Sequence, residues 1–301
     1  GTLHVVRKSD GRGMWTFEAG SPISGSPIIF DGLIYVTATK GVHCLDAMTG
    51  ESKWYSGTGS SFSSSANLSK AHGIITVVGN DEKDGSELQI YLIDAKSGEK
   101  RLTYPLTSFL PSAPAISGGT VAITRRHPRE TETLIAVNLL SRDNPYLRTI
   151  HSLVRQAFVL GFANSFPMPQ GYKWHRQIEG GSINSLLSDE SQIYFINSLS
   201  GNQGSKVTSQ AFFSGRVTAI NPSNGSINWE LTDKEVSGGM ATLEQHGIII
   251  ADREGDLTYI DKFTGEVRWR FDTDVEIGDR PVGHNSIILV TSKNNDLRAF
   301  R

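Results

Sequence analysis

The sequence predicts an all-β protein built from repeated four-stranded units. Three observations lead to this prediction: a strand–turn–strand motif that recurs along the chain, a spacing of about 40 residues between its copies, and glycines beside short runs of Val and Ile. The chain has 301 residues, of which 38% are hydrophobic and 20% are charged. This balance is typical of a folded globular chain and excludes a disordered one.

Charge and cysteine content exclude several classes of function. Lys and Arg number 29 against 31 for Asp and Glu, so no bulk positive charge attracts nucleic acid or an anionic membrane. The single cysteine excludes an internal disulfide framework and a multi-cysteine metal site. No apolar run is long enough to span a bilayer, and the first residues lack a signal-peptide pattern. We therefore expect either a cytosolic chain or one whose targeting segment has been removed.

The recurring motif consists of an apolar strand, a polar turn that ends in glycine, and a second strand. In each copy the glycine lies four residues before a Trp, or before the Leu that replaces it. The copies occupy 3–15, 42–54, 90–102, 217–229 and 257–269, and their glycines are Gly11, Gly50, Gly98, Gly225 and Gly265.

The tryptophans show that the repeat is genuine. Four of the five Trp residues occupy this one position, namely Trp15, Trp54, Trp229 and Trp269. The fifth, Trp174, begins a strand-like segment after an interrupted copy of the motif. Successive copies are separated by 39 residues (15 to 54) and 40 residues (229 to 269), which is the period of a four-stranded propeller blade.

The remainder of each period agrees with four strands, A to D. A strand pair with its own turn precedes each motif, at 26–38, 66–79, 113–125, 184–197, 241–253 and 280–292. In the C–D turn, glycine supplies a positive φ without a Cβ penalty. Four residues earlier stands an Asp or Asn whose side chain is expected to accept hydrogen bonds from turn amides, namely Asp46, Asp94, Asn221 and Asp261.

These residues resemble a known family. The frame appears as CLDAMTGESKW at 44–54, LIDAKSGEKRL at 92–102, AINPSNGSINW at 219–229 and YIDKFTGEVRW at 259–269. It is similar to the repeat of the PQQ-like β-propellers, the group that contains the quinoprotein dehydrogenases and the BamB-like assembly factors. The resemblance covers nearly the whole chain apart from roughly 141–171.

The resemblance implies a structural role for the tryptophans, because in that family the indole docks onto the neighbouring repeat. We therefore expect Trp54 and Trp269 to be largely buried between blades. Leu102 departs from the frame, so the joint beside its blade is expected to be weaker. Trp174 has lost the preceding turn, which leaves its docking open.

We thus predict a β-propeller of four-stranded PQQ-like blades with one helical insertion, in a single domain that spans 1–301. Seven blades are the simplest count, with the last blade combining C-terminal strands and the strand around Trp15. Eight blades, incomplete at the ends, are the alternative.

The sequence favours a protein without catalytic residues, cofactor or metal. The resemblance implies that a quinoprotein dehydrogenase would need a vicinal disulfide, calcium ligands and a catalytic Asp, in a chain about twice this length. Cys44 is expected to be a small buried hydrophobe. His72 and His246 precede glycine in equivalent A–B turns, where turn residues are the simplest interpretation.

The insertion at 141–171 is the first departure from the plain repeat. Within it, residues 147–162 show helical periodicity, with prolines on both sides. The helix is expected either to pack on its own propeller, which we favour for most of the apolar stripe, or to dock a partner. Its candidate partner-binding residues are Ile150, Val154, Phe158 and Phe162.

Long B–C connections on three successive blades, at 80–88, 125–133 and 199–215, are the second departure. They predict a raised rim on one face of the propeller, and loops on a rigid scaffold commonly carry recognition. The candidate partner-binding residues of the rim are Arg125, Arg126, Arg129, Phe212 and Phe213.

The predicted function is that of a non-catalytic scaffold for protein–protein recognition, similar to the BamB-like factors and located outside the cytoplasm, in the periplasm or at the cell surface. The alternative is a ligand-sensing or subunit propeller of a larger receptor, kinase or membrane complex. A PQQ-dependent dehydrogenase is the least favoured. No nucleic-acid partner and no membrane span are expected.

Overall fold

The structure is a computed structural model, and it describes most of the chain. The described residues are 1–58, 66–80, 88–106, 113–125, 132–164, 167–179, 183–199, 214–236, 240–252, 254–284 and 287–301. They form two compact units. The first is Gly1–Pro128 with Ile135–Trp174, and the second is Arg129–Leu134 with His175–Arg301.

Strands account for nearly all of the regular structure. The first three sheets consist of β1 (Thr2–Val6) and β2 (Gly13–Glu18), then β3 (Ile28–Phe30), β4 (Leu33–Ala38), β5 (Gly41–Asp46) and β6 (Ser52–Gly57), then β7 (Asn67–Ser69), β8 (Ile74–Asn80), β9 (Leu88–Asp94) and β10 (Lys100–Leu106). The fourth sheet, whose residues are divided between the two units, consists of β11 (Ala115–Ser117), β12 (Thr120–Arg125), β13 (Thr133–Asn138) and β14 (Tyr172–Gln177).

The second unit contains three further sheets. They consist of β15 (Ile183–Ser188), β16 (Ile193–Leu199), β17 (Ser214–Ile220) and β18 (Ile227–Asp233), then β19 (Met240–Leu243), β20 (Gly247–Ala251), β21 (Asp256–Asp261) and β22 (Val267–Asp272), then β23 (Val282–His284), β24 (Ile287–Thr291) and β25 (Leu297–Phe300). One α-helix, α1 (Pro145–Val159), lies between β13 and β14, and a short 3-10 turn covers Lys234–Val236.

The described strands form seven sheets, and in each sheet the neighbouring strands are consecutive in the chain. Five sheets have four strands, as the A-to-D repeat predicts, which confirms the seven predicted blades. The prediction for the last blade was wrong. β2, which carries Trp15, pairs with β1 in a two-stranded sheet, and the C-terminal strands form a three-stranded sheet of their own.

The hydrophobic core consists of separate clusters that lie between consecutive sheets. In one of them, Tyr35 and Cys44 of the second sheet pack with Ile75 and Tyr91 of the third. Cys44 is fully buried, and burial raises the pKa of its thiol to about 11, which agrees with its expected role as a small hydrophobe. In the second unit, Tyr194 and other residues of β16 and β17 pack with Ile248 and its neighbours in the same way.

The C–D turns have the predicted chemistry. Asp46 Oδ1 accepts hydrogen bonds of 3.0 Å from the amides of Met48 and Thr49. Equivalent bonds reach Asp94, Asn221 and Asp261. Because these bonds stabilise the ionised form, the pKa of Asp46 is lowered.

Three tryptophans dock onto the next blade through the same two contacts. The indole Nε1 donates to a backbone carbonyl in the next C–D turn: Trp15 to Ala47 at 3.3 Å, Trp54 to Ala95 at 3.1 Å and Trp229 to Lys262 at 2.9 Å. The ring also covers the glycine of that turn. These glycines have positive φ, and a Cβ built on each would lie 2.6–2.7 Å from a ring carbon; they are Gly50, Gly98 and Gly265.

A polar network reinforces the Trp229 joint. The Lys262 carbonyl that accepts from Trp229 also accepts from Gln192 Nε2 at 3.3 Å. The Lys262 side chain in turn pairs with Asp189 at 2.7 Å. Burial opposes ionisation of Asp189, but hydrogen bonds from Lys262, Ser191 and Gln192 prevail and lower its pKa to about 2.

The remaining two tryptophans differ. Trp174 is buried. The prediction of burial was wrong for Trp269, which is 37% exposed and stacks on Tyr259 with ring centroids 5.2 Å apart. Trp54 is only partly buried, because one face of its indole covers a glycine while the rest stays near the surface.

We expect Trp54→Ala to lower the free energy of unfolding by about 2–3 kcal/mol, because it removes an inter-blade ring and its hydrogen bond. Trp269→Ala is the matched control and should cost only about 1 kcal/mol, since mainly a stacking contact is lost. Chemical denaturation of both variants measures the difference. Equal losses would contradict the docking role assigned to the indole of Trp54.

Candidate interaction site

The predicted partner-binding residues fall into two groups. Those of the helix are described by the structure. Of the rim residues, Arg126, Arg129, Phe212 and Phe213 lie outside the described residues. Arg125 is the last residue of β12, and its side chain is not described. The rim therefore stays a prediction.

The inserted helix forms as its sequence predicts. The Asn144 side chain caps it by accepting from the amide of Tyr146 at 3.0 Å, and Pro145 occupies the first turn, where its missing N–H is not needed. Helix α1 covers Pro145–Val159, so it begins two residues before the predicted 147–162 segment and ends three residues earlier. Gly161, with φ of +83°, follows its end.

Side-chain and backbone contacts hold the insertion against β10. Phe158 is the buried residue of α1, and it packs in a cluster that includes Leu102 and Tyr104. Tyr104 Oη donates to the carbonyl of Pro167 at 2.7 Å, and the amide of Asp143 donates to the carbonyl of Arg101 at 2.6 Å. The insertion is thus attached to β10 at three points: at Asp143 before the helix, at Phe158 near its C-terminal end, and at Pro167 after it.

This packing explains why Leu replaces Trp at position 102. At the docked joints an indole covers the glycine turn of the next blade, but the insertion has replaced that turn in the sheet β11–β14. Leu102 is instead fully covered and lies in the same cluster as Phe158. The weaker joint stays a prediction, but Phe158 of the helix does place an aromatic ring in the cluster that contains Leu102.

Most of the apolar stripe of α1 faces outward. Ile150 is 53% exposed, Leu153 is 61% exposed and Phe162 is 84% exposed, while Val154 and Leu147 are also exposed. Of the four predicted helix residues, only Phe158 is buried. The expectation that most of the stripe packs on the propeller was wrong, because Phe158 is the one residue of α1 that is buried.

A cleft of about 650 Å³ lies between β10 and α1. Its Lys, Arg and His side chains come from both elements: Lys100 from the strand, and Arg148, His151 and Arg155 from the helix. Among the described residues that line it, Asp143 is the one carboxylate, and Arg148 already forms an ion pair with it.

Lys100 is partly buried where it lines the cleft. Its Nζ lies 5.5 Å from the centroid of the Tyr91 ring, and burial lowers the pKa of this amine.

Sequence reasoning singled out the apolar residues of the helix as candidates. It missed Lys100 and Tyr104, because only tertiary packing brings β10 beside the insertion. A usable signal was present, since no Asp or Glu occurs at 144–178 although four Lys or Arg do.

Two other kinds of site were sought. Among the described residues, no group of three or more His, Cys, Asp or Glu side chains is arranged to hold a metal ion. His72 and His246 lie in the predicted turns, with His72 Nδ1 2.9 Å from Ser69 Oγ. In the part of the chain that the structure describes, no helix has the length and apolarity to cross a membrane.

We expect Phe158→Ala to cost about 3 kcal/mol of unfolding free energy, because it empties the joint between α1 and β10. Phe162→Ala removes the same side chain from an exposed position and should stay within about 0.5 kcal/mol of the wild type. Thermal and denaturant unfolding measure both. A Phe158 variant as stable as the Phe162 variant would show that the helix is not anchored there.

Three solved structures are similar to this chain, and each match covers 99% of it. BamB from Moraxella catarrhalis matches at 13% identity with a TM-score of 0.57, over 76% of its own chain. A europium-containing methanol dehydrogenase matches at 8% identity with a TM-score of 0.56, over 69% of its chain. The Neurospora crassa Pan2 WD40 domain matches at 12% identity with a TM-score of 0.58, over 82% of its chain. At these identities the likeness shows the fold alone, and it confirms the predicted propeller.

A family match goes further than the fold. No curated protein matches the chain by sequence. The family model described as the outer membrane protein assembly factor BamB matches residues 1–88, 42–232 and 213–301, so its overlapping matches cover every repeat. The chain, an all-β propeller of seven blades with one helical insertion, therefore belongs to the family of the outer membrane protein assembly factor BamB.

Proposed function

We propose that this protein is a non-catalytic scaffold that binds other proteins outside the cytoplasm, and that α1 is part of its binding surface. The observation that carries the proposal is the exposed apolar stripe on a helix that is itself held to the blade. Exposed apolar patches mark interaction sites, because leaving such surface in water is unfavourable. Membership of the BamB family supports both the scaffold role and the location.

The position of the helix strengthens this interpretation. The C–D turns at Asp46, Asp94, Asn221 and Asp261 need only a few residues, so blade formation does not require 141–171. Phe158 anchors the segment, while Ile150 and Leu153 do not contribute to the core. Ordering of the stripe before binding lowers the entropy that association would otherwise cost.

We expect the double variant Ile150→Glu/Leu153→Glu to lose partner binding by tenfold or more, at about 1.4 kcal/mol per factor of ten. Its melting temperature should stay close to that of the wild type, since both side chains are exposed. The matched control is Ile29→Glu/Met48→Glu, at two exposed apolar positions of the same unit. Quantitative co-purification of partners from the source cells, with the variants in parallel, measures binding.

The control variant should retain its partners within about twofold. Equal recovery with wild type, helix variant and control would contradict the assignment of α1 to the binding surface. Equal loss with both variants would indicate a general effect of added negative charge.

Because a methanol dehydrogenase has a similar fold, a quinone-dependent enzyme is the alternative function that must be tested. We expect no cofactor absorbance to be retained after the protein is mixed with pyrroloquinoline quinone and Ca²⁺ and then desalted. A retained quinone spectrum with alcohol-dependent dye reduction would overturn the non-catalytic assignment.

A further inference from the structure

A second cleft, of about 1020 Å³, lies within the second unit between its last two sheets. Its lining is aromatic on both sides: Tyr259, Trp269 and Phe271 come from the sheet β19–β22, and Phe300 comes from β25. The rings of Phe271 and Phe300 are in edge-to-face contact, with centroids 5.3 Å apart. The cleft therefore offers apolar side chains a place between two sheets.

The indole of Trp269 lines this cleft without the acceptor that its equivalents have. Trp15, Trp54 and Trp229 each donate from Nε1 to a backbone carbonyl in the next C–D turn. In the described part of the chain, Trp269 has its stacking contact with a tyrosine but no acceptor for Nε1. Its N–H is thus available to a carbonyl of a ligand.

Strand β25 is an edge strand. Among the described strands it pairs with β24 alone, whereas β17 and β21, the equivalent strands of other sheets, each have a neighbour on both sides. The amide of Ser292 donates to the carbonyl of Asp296, so the alternation of antiparallel pairs turns the N–H and C=O groups of Leu297 and Ala299 away from β24. Both residues are exposed, so an added strand can reach these groups.

A cation lies on the same edge. The sequences RVTAIN at 216–221 and DLRAFR at 296–301 align, so Arg298 corresponds to Thr218. In the sheet β15–β18, Thr218 pairs with Glu230 of the fourth strand. Arg298 is exposed, and no carboxylate of the described residues forms an ion pair with it. A carboxylate placed as Glu230 is would therefore lie opposite Arg298 in an added strand.

We propose that β25 binds an acidic extended segment of a partner protein as a fourth, antiparallel strand, with a glycine turn of that segment covered by the ring of Trp269. The backbone of the segment pairs with Leu297 and Ala299, and its carboxylate pairs with Arg298. Binding of this kind takes affinity from main-chain hydrogen bonds and specificity from alternate side chains. The surface lies in the second unit and does not include α1, so the proposal goes beyond the proposed function.

Charge favours a partner of different sequence over a second copy of this chain. Two β25 strands paired with each other would bring Arg298 and Arg301 of one copy close to the same residues of the other. Like charges that lie opposite each other destabilise a strand pair. An acidic segment avoids this repulsion and adds charge-assisted hydrogen bonds.

A peptide with the sequence of 221–233, NPSNGSINWELTD, is the probe, because it contains a C–D turn, a fourth strand and two carboxylates without Lys or Arg. Fluorescence anisotropy of the fluorescein-labelled peptide should show saturable binding to the wild-type protein. The Gly225→Val peptide should bind at least about tenfold more weakly, since a Cβ built on the equivalent Gly265 would lie 2.6 Å from the ring of Trp229. Equal affinity for both peptides would overturn the proposal.

Charge reversal tests the register of the added strand. The wild-type protein should bind the Glu230→Lys peptide about tenfold more weakly than the unchanged peptide. The Arg298→Glu variant should reverse this order, which a merely structural role of Arg298 would not do. The same order in both proteins would contradict the proposed pairing.

Ala299→Pro tests the strand edge. Proline removes an outward N–H without removing a bond to β24, so the variant should keep a melting temperature close to that of the wild type and bind the peptide at least about tenfold more weakly. The matched control, His4→Pro, places proline on β1, an edge strand of the first unit, and should bind within about twofold. Wild-type affinity in Ala299→Pro would rule out strand addition. If this variant does not fold, the charge reversal decides.

Light scattering distinguishes a second copy as the occupant. A wild-type dimer that becomes monomeric in Ala299→Pro, without peptide binding, would replace the acidic segment with a second copy and overturn the proposal. Ile150→Glu/Leu153→Glu should bind the peptide as the wild type does, and a loss there would show that the peptide binds α1 instead. If the peptide fails to bind while this helix variant still loses partners, strand addition is overturned and the scaffold function stands.

Discussion

The contact between an indole and the glycine turn of the next blade is the interaction on which this structure depends. Apolar burial is not directional, so the clusters between sheets stabilise the stack without setting how one sheet is placed on the next. The indole of Trp54 adds direction, because its Nε1 must meet the carbonyl of Ala95 while its ring covers Gly98. Only glycine permits both the positive φ and the close approach. The sequence motif that defines the repeat thus also supplies the contact that joins the blades.

The proposed binding surface lies where this contact is absent. An indole at position 102 would have no glycine turn to cover, because the insertion replaces that turn in the following blade. Leu102 and Phe158 fill the space together, and the bonds from Tyr104 and Asp143 tie the insertion to β10. Two departures that look unrelated in the sequence thus meet in one hydrophobic cluster of the structure. The anchor uses one side of α1 and leaves its apolar stripe exposed.

This arrangement suits a scaffold because the surface is ordered before any partner arrives. A helix attached at Phe158 and capped by Asn144 loses little further entropy on binding. In the proposed complex the exposed stripe contributes apolar area. A methanol dehydrogenase with a similar fold shows that the propeller alone does not determine function.

The sequence by itself determined the repeat, the four-strand blades, the turn chemistry around Asp46 and Gly50, and the existence of α1. The turn chemistry and the helix depend on residues that are close in the sequence, and the blades depend on a regular repeat. Both kinds of pattern can be recognised from the sequence without coordinates. The tertiary structure alone decided that Trp269 is exposed, that Leu102 packs in one cluster with Phe158, and that Lys100 and Arg155 line one cleft. Each of these results depends on which segments pack together across a separation of many residues. Helical periodicity shows that α1 has an apolar side, but only packing against β10 shows which part of that side stays in solvent.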